Sequence, residues 1–321
     1  MSRRALVVLA VLALALSGCV YIPIFRPAKL SAVTVEKSPR WFESNRIALI
    51  DVDGFLSTSS SDGLFALGGT TVADLKEKLK FAEQDGGVRA VVLRINSPGG
   101  EATASDMMYK ELEEFRARTG KPVVACMMSL AASGGYYVAA GADVIIAAPT
   151  TVTGSVGVIM QFINVEGLFD KIGLRSEVIK SGEKKDIGSP YRVLTPEERE
   201  MLQGINRSLF DQFVAAVRKG RPQMTEEDVK AVSDGRILTA QQAQALHMVD
   251  GIGYMSDALA TARKMAGIQT ADVILYTAYP SYNSNIYAAL GGGNAPMMEE
   301  AVKLLLKRRG PMFLYLWSPG S

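Results

Sequence analysis

One histidine, His247, serves the whole 321-residue chain. A hydrolytic nucleophile in this protein can therefore use imidazole only if that single residue lies beside it. Cysteine is almost as scarce, with Cys19 and Cys126 alone. Two cysteines and one histidine cannot build the usual zinc ligand set, so no metal is expected. No glycine-rich fingerprint ending in Lys-Ser or Lys-Thr is present, and no cofactor is expected. An excess of charge of one sign is missing too: 35 basic residues face 33 acidic ones. Without a basic run there is no electrostatic case for binding nucleic acid. The apolar run at the front, Ala5 to Leu16, has 12 residues, short of the roughly 20 needed to span a bilayer as a helix.

That short run is informative in its own right. Arg3 and Arg4 precede it and Leu16-Ser17-Gly18-Cys19 follows it, the layout of a secretory signal. The four-residue box resembles a bacterial lipoprotein cleavage site, which implies removal of residues 1–18 and lipidation of Cys19. Loss of Arg3 and Arg4 leaves 33 basic residues against 33 acidic ones. The expected location is the cell envelope, on the extracytoplasmic or periplasmic side, with membrane attachment through Cys19. Residues 19–45, with Pro23, Pro27 and Pro39 and little periodicity, read as a tether. Cys126 is then the one remaining thiol and no intrachain disulfide is expected.

From Arg46 onward, short apolar runs alternate with amphipathic stretches. Strands are expected at Ile47–Val52, Val88–Ile95, Pro122–Met128, Val144–Ala147 and Glu177–Ile179. Helices are expected at Thr71–Asp85, Ala102–Arg118 and Glu166–Ile172. Such alternation predicts a single α/β domain with a largely parallel sheet. Thr195-Pro196-Glu197-Glu198 combines an N-cap, a proline at the first helical position and an acidic third position, predicting a helix to about Arg218. Thr225–Asp228 and Thr239–Gln242 start two more. In the tail, 277–321, a helix is expected over Ala295–Arg309, and the apolar segment Pro311–Trp317 is expected to dock as a strand or cover a groove.

Three stretches carry chemistry. Ala131-Ala132-Ser133-Gly134-Gly135 sets a lone serine at a strand-to-helix corner, where its Oγ is presented and the Gly134 N–H lies at a helix N-terminus. A small-residue packing turn would have the same composition. Ser97-Pro98-Gly99-Gly100 follows a strand and can aim backbone N–H groups at an oxyanion, or simply make a turn. Lys180–Pro190 offers a lysine as general base toward serine, provided burial lowers its pKa. The same composition also suits a solvated charged loop.

Together, the ordered motifs NSPGG, AASGGYYVAAGAD, TVTGSVGVI and KKDIGSP, with Asp234-Gly235-Arg236 and Leu246–Asp250 further on, closely resemble the signal peptide peptidase A family of serine proteases in its short, single-repeat form. The resemblance covers 46–276, the expected peptidase domain. It implies a Clp protease/crotonase-like spiral of β-β-α units with C-terminal helices. It makes Ser133 the nucleophile and Lys185 the general base, with Lys184 a decoy and Ser155 orienting the lysine. Gly99, Gly100 and Gly134 match the oxyanion-hole region, with the choice between Gly99 and Gly100 left open. His247 stands where relatives often have a small residue, and a partly exposed histidine near a helix end is expected. Implied partners are peptide substrates with small or apolar side chains, such as signal-peptide remnants, and further copies of the chain in a homo-oligomeric ring. Two alternatives remain: a crotonase-like acyl-CoA enzyme, which the export signal and the lysine loop disfavour, and a noncatalytic lipoprotein scaffold.

Overall fold

The computed structural model describes residues 30–58, 70–277, 285–286 and 313–317. Cys19, the signal segment and the expected tail helix Ala295–Arg309 lie outside the described residues. The strands are β1 (Ser31–Glu36), β2 (Arg46–Leu56), β3 (Val88–Glu101), β4 (Val123–Ala132), β5 (Val144–Ala147), β6 (Val152–Gly154), β7 (Ile237–Thr239), β8 (Gly251–Ile252), β9 (Asp272–Thr277) and β10 (Leu314–Leu316). The helices are α1 (Val72–Gln84), α2 (Ala102–Thr119), α3 (Gly134–Ala139), α4 (Glu166–Lys171), α5 (Pro196–Gly220), α6 (Glu226–Val232), α7 (Ala240–Ala245) and α8 (Met255–Met265).

Among the described residues these strands form one sheet, ordered β1-β9-β2-β3-β4-β5-β8, with β6 beside β4 and β10 beside β3. Its centre is parallel, as the strand-helix alternation requires. Side chains alternate across each strand with a period of two. Ala48, Ile50 and Val52 of β2, Val91, Leu93 and Ile95 of β3, and Ala125 and Met127 of β4 pack on one side with Leu75, Leu79, Met108, Leu112 and Phe115 of α1 and α2. Ile47, Leu49, Ala90, Val92, Val124 and Cys126 face the other way, against Met255, Ala258, Leu259 and Ala262 of α8. Burial on both faces explains why these strands read as continuous apolar runs. Cys126 is one of these core residues, and burial pushes its thiol pKa up to about 12.

Three expectations change and a fourth holds. β3 does not stop at Asn96; it bulges and continues through Pro98, Gly99 and Gly100 to Glu101, with its pairing to β2 and β4 slipping near Asp53 and Ser97. Glu177–Ile179 is not a strand, and Val178 and Ile179 are exposed, with no neighbouring strand among the described residues to take up their backbone groups. Ser31–Glu36, inside the expected tether, pairs antiparallel with β9 at the sheet edge. In the tail, Leu314–Leu316 is indeed a docked strand.

Helix starts follow their sequence signals. Thr71, Thr195, Thr225 and Thr239 each accept the N–H three residues on, and that residue's side chain returns the bond. At the far end of α5 the chain is tied to the sheet by Arg221, 2 % exposed. Its guanidinium donates to Asp250 Oδ2 at 2.5 Å and to the Ala142 carbonyl at 3.1 Å. The same Asp250 oxygen accepts from the Ile145 N–H at 2.7 Å. Removing the guanidinium would leave the buried Ala142 carbonyl unpaired, while the Asp250 carboxylate keeps solvent and the Gln223 amide. Arg221→Ala should therefore cost about 1.5–3 kcal/mol, seen as a lower urea midpoint. Arg218→Ala, one turn away in an exposed pair with Glu226, should change stability by less than about 1 kcal/mol.

Candidate active site

Where β4 leaves the sheet, Ala131 and Ala132 pair with Thr153 and Gly154 of β6. Ser133 comes next with φ 53° and ψ −118°, a conformation costing a non-glycine residue about 1–3 kcal/mol. Two bonds hold it there: Ser133 N–H donates to the Gly154 carbonyl at 2.8 Å, and Tyr137 N–H donates to the Ser133 carbonyl at 2.9 Å. The chain turns at once into α3, so the serine hydroxyl stands at the corner and the N–H of Gly134 is the first of the helix, without an intrahelical acceptor. Ser133 is 1 % exposed, and its Oγ has no hydrogen-bond partner among the described residues. The small neighbours do serve close packing: a Cβ on Gly134 would lie 2.3 Å from Ser105 Oγ, and one on Gly135 2.7 Å from the Ser97 carbonyl. The tyrosines that follow anchor the helix, Tyr136 OH donating to the Met248 carbonyl at 3.0 Å and Tyr137 OH to Asp106 at 2.8 Å. Burial pushes both phenols above their ordinary range.

The second glycine pair meets this corner. Gly99 has φ +101°, and a Cβ there would lie 2.6 Å from the Gly134 nitrogen. Its own N–H donates to Ser97 Oγ at 3.0 Å, and that hydroxyl donates to the Gly54 carbonyl at 2.6 Å. The structure thus gathers Ser133, Gly134, Gly99 and Gly100 at the carboxyl ends of β3 and β4, where open α/β sheets present their crevice.

Ser155, 8 % exposed, follows Gly154 at φ 52° with its N–H donating to the Arg236 carbonyl at 2.7 Å. It adjoins the corner through β6. Lys185 is not brought to Ser133. It sits in a 3-10 turn, Glu183–Asp186, exposed, its ammonium making no ion pair or hydrogen bond among the described residues. Lys184 pairs with Glu197 at 2.5 Å. His247 is exposed just past α7, its Nδ1 3.4 Å from Asp228, as expected for a histidine near a helix end.

Arg192 and Glu198 are parts of this region that the sequence reading missed. The Arg192 guanidinium donates to both Asp186 oxygens, at 2.9 and 2.8 Å, and to both Glu198 oxygens, at 2.6 and 2.8 Å. The turn carrying Lys185 is thereby clamped to the first turn of α5. These bonds hold the Asp186 carboxyl well below the ordinary carboxylate range and lower Glu198 to about 2, the Arg192 bonds being the largest cause in each case. Glu198 was legible only as the capping position of α5; nothing in its spacing announced the guanidinium.

The Peptidase family S49 model matches residues 116–269, a span containing Ser133, Ser155 and Lys185. The Clp protease model matches residues 68–153, spanning both glycine pairs and Ser133, in keeping with the expected fold class. A candidate protease of Synechocystis is 40% identical over 232 residues, covering 72% of this chain and 78% of that protein. A candidate signal peptide peptidase SppA of Enterococcus faecium is 35% identical over 244 residues, covering 76% of this chain and 70% of that protein. Protease 4 of Salmonella typhi is 33% identical over 240 residues, which are 75% of this chain but 38% of that longer protein. With relatives this similar over most of both lengths, and the buried serine corner inside the matched span, the chain belongs to peptidase family S49 and is a serine protease like signal peptide peptidase A.

Proposed function

We propose that the protein is a lipid-anchored, extracytoplasmic endopeptidase in which Ser133 attacks and Lys185 of a neighbouring copy serves as base, acting on released signal peptides or other membrane-proximal peptides. The observation that carries this reading is a mismatch within one chain. Ser133 is buried at a strained corner with its hydroxyl unpartnered, while Lys185 stands exposed on a clamped turn. A base supplied by a second copy resolves both. The segment leading to Lys185 supports such an assembly, since Ile163, Leu168, Ile172, Leu174, Val178 and Ile179 are all exposed, an apolar surface of the kind that marks an interface.

The chemistry follows from the roles. A neutral lysine takes the serine proton as Oγ attacks the peptide carbonyl, and the resulting oxyanion is held by the Gly134 N–H at the start of α3 together with the neighbouring Gly99-Gly100 backbone. Collapse of the intermediate breaks the C–N bond while the lysine ammonium protonates the leaving amine. Water then releases the acyl group by the same steps in reverse. A lysine accepts a proton near neutrality only where desolvation disfavours its ammonium form, and a subunit interface supplies that desolvation. In this reading Ser155, one residue beyond Gly154, orients it. Among the described residues no helix is long and apolar enough to cross a membrane. Attachment in this reading is through lipid at Cys19, on the strength of the Leu16-Ser17-Gly18-Cys19 box.

Lys185→Ala should abolish turnover of a quenched peptide, and Lys185→Arg should do the same, because a guanidinium keeps its proton. Lys184→Ala and His247→Ala should retain most activity. Inactive Lys184→Ala beside active Lys185→Ala would reassign the base. Mixing Ser133→Ala and Lys185→Ala proteins should restore part of the activity through mixed assemblies; no recovery after demonstrated subunit exchange would place both groups in one chain. Arg192→Met should lower kcat more than it raises KM, since it frees the turn that positions Lys185 without touching the peptide. For the anchor, mass spectrometry of membrane-extracted protein should find an acylated Cys19 at the N-terminus, and an unmodified Cys19 would remove that part of the reading.

A further inference from the structure

Trp41 and Phe42, side by side in the segment between β1 and β2, are 90 % and 89 % exposed. Their ring centroids lie 6.3 Å apart with 73° between the planes. Single exposed apolar side chains are common, but two adjacent aromatic residues with almost no protein cover form a patch that calls for an occupant. The segment that carries them is fastened to the body. Ser38 N–H donates to Asp272 Oδ1 at 2.7 Å. The Arg40 N–H donates to the Ser38 hydroxyl, which donates in turn to Glu43, both at 3.2 Å. Glu43 also accepts from the Asn45 N–H at 2.9 Å and from the Thr270 hydroxyl at 2.5 Å. The two rings are therefore held out in water by a hydrogen-bonded turn.

Cations flank the rings. Lys37 and Arg40 are exposed on the same turn, and the Arg40 guanidinium donates to Gln269 at 3.4 Å, which brings the turn beside the end of α8 and its exposed Lys264. Of the carboxylates at this corner, Glu43 and Asp272 accept the turn's own hydrogen bonds, while Glu36 is exposed. Aromatic tips flanked by lysine and arginine match the interfacial layer of an anionic bilayer, where tryptophan settles at headgroup level and basic side chains meet lipid phosphates. Two rings are too small a surface for a stable protein partner, which needs roughly 1,000 Å² of buried area.

We infer that Trp41 and Phe42, flanked by Lys37 and Arg40, are a second membrane contact of this protein, in which both rings enter the headgroup layer of a bilayer containing anionic lipid. This rests on the reading of the protein as membrane-attached. The contact fixes an orientation that a lipid tether alone leaves free. The turn lies at the amino ends of β2 and β9, where Arg46 pairs with Asp272, and Phe55, nine residues up β2, pairs with Gly99 near Ser133. At about 3.3 Å per residue, the crevice then stands roughly 30 Å from the lipid. The tether allows this arrangement. Cys19 precedes Ser31 by 12 residues, a reach of up to about 40 Å, whereas β1 covers only about 20 Å from Ser31 to Glu36.

The test uses membrane-extracted protein carrying Trp317→Phe, so that Trp41 is the only tryptophan, reconstituted into vesicles of phosphatidylcholine with and without phosphatidylglycerol. Trp41 emission should shift to the blue in the mixed vesicles, be quenched by lipids brominated along the acyl chain, and be shielded from iodide. The chain beginning at Cys19, made without acylation, should bind the mixed vesicles by itself. Trp41→Ala with Phe42→Ala should weaken that binding about a hundredfold. Lys37→Ala with Arg40→Ala should weaken it about thirtyfold, and only where phosphatidylglycerol is present. The quenching measurement leaves the turn unaltered, so it decides the matter even if the alanine variants are destabilised. A Trp41 that stays unshifted and open to iodide on both kinds of vesicle would overturn the inference. So would a blue shift that appears without lipid as protein concentration rises, which would give the rings to a second copy. An unacylated Cys19 with Trp41 quenched by brominated lipid would remove the lipid anchor and keep this contact; an acylated Cys19 with Trp41 unquenched would do the reverse.

Discussion

The hydrogen bond from the Ser133 N–H to the Gly154 carbonyl, 2.8 Å long, is the contact on which the site depends. Serine has no intrinsic reason to adopt φ 53°, and a relaxed corner would swing Oγ and the Gly134 N–H away from each other. β6 prevents this by pairing with the last residues of β4 and continuing into Gly154, so the corner is pinned from the side by a strand of the same sheet. Below it α3 is immobilised by Tyr136 and Tyr137, whose phenols reach acceptors on Met248 and Asp106. The strain is thus held by packed core, and it places a hydroxyl and a helix N-terminus on one side of the crevice.

The second constraint concerns distance from that core. The corner is almost fully buried, whereas the turn bearing Lys185 is exposed and fixed by charge. Arg192 bridges Asp186 and Glu198, and the carboxylates are kept ionised well below their ordinary range by its bonds. Their contribution is fully present above the ordinary carboxylate range and fades only as pH falls through the lowered folded-state values, about 2 for Glu198. A turn held this way keeps its shape across neutral pH while leaving its lysine available to a second surface.

These differences also explain what could be read from sequence. Val88–Ile95 and Pro122–Met128 were legible because strands buried on both faces are written as unbroken apolar runs. Thr195-Pro196-Glu197-Glu198 was legible because capping is local chemistry. Glu177–Ile179 misled because three residues of strand-like composition cannot reveal whether a neighbouring strand exists. The extension of β3 through Pro98 and Gly99 was hidden for the opposite reason: its partners are Phe55 and Leu56, beyond a slip in the pairing with β2, and Leu314–Leu316, more than two hundred residues away. Ser133 stood out by the small residues around it, but the Arg192 clamp joins groups six residues apart across a turn without helical or strand period, and the packing of Tyr315 on Tyr137 joins distant parts of the chain; no local pattern records either.

The end of β3 is covered by backbone pairing on its edge and by an aromatic cluster on its face. Gly99–Glu101 and Ile159 present backbone groups that any extended segment can satisfy, so they hold a strand with little regard to its sequence. Left empty, those N–H and C=O groups would form an exposed edge, a liability in any sheet. Filling the edge with the chain's own Leu314–Leu316 removes that liability and brings the Tyr315 ring against Tyr137 and Phe213. Because Phe213 and Leu209 lie on α5, whose first turn also holds Glu198 of the Arg192 clamp, a single helix links the aromatic cluster around Tyr315 to the turn that carries Lys185. Displacement of α5 would disturb both at once, which makes its anchoring through Arg221 at one end and Thr195 at the other a requirement of the site as well as of the fold.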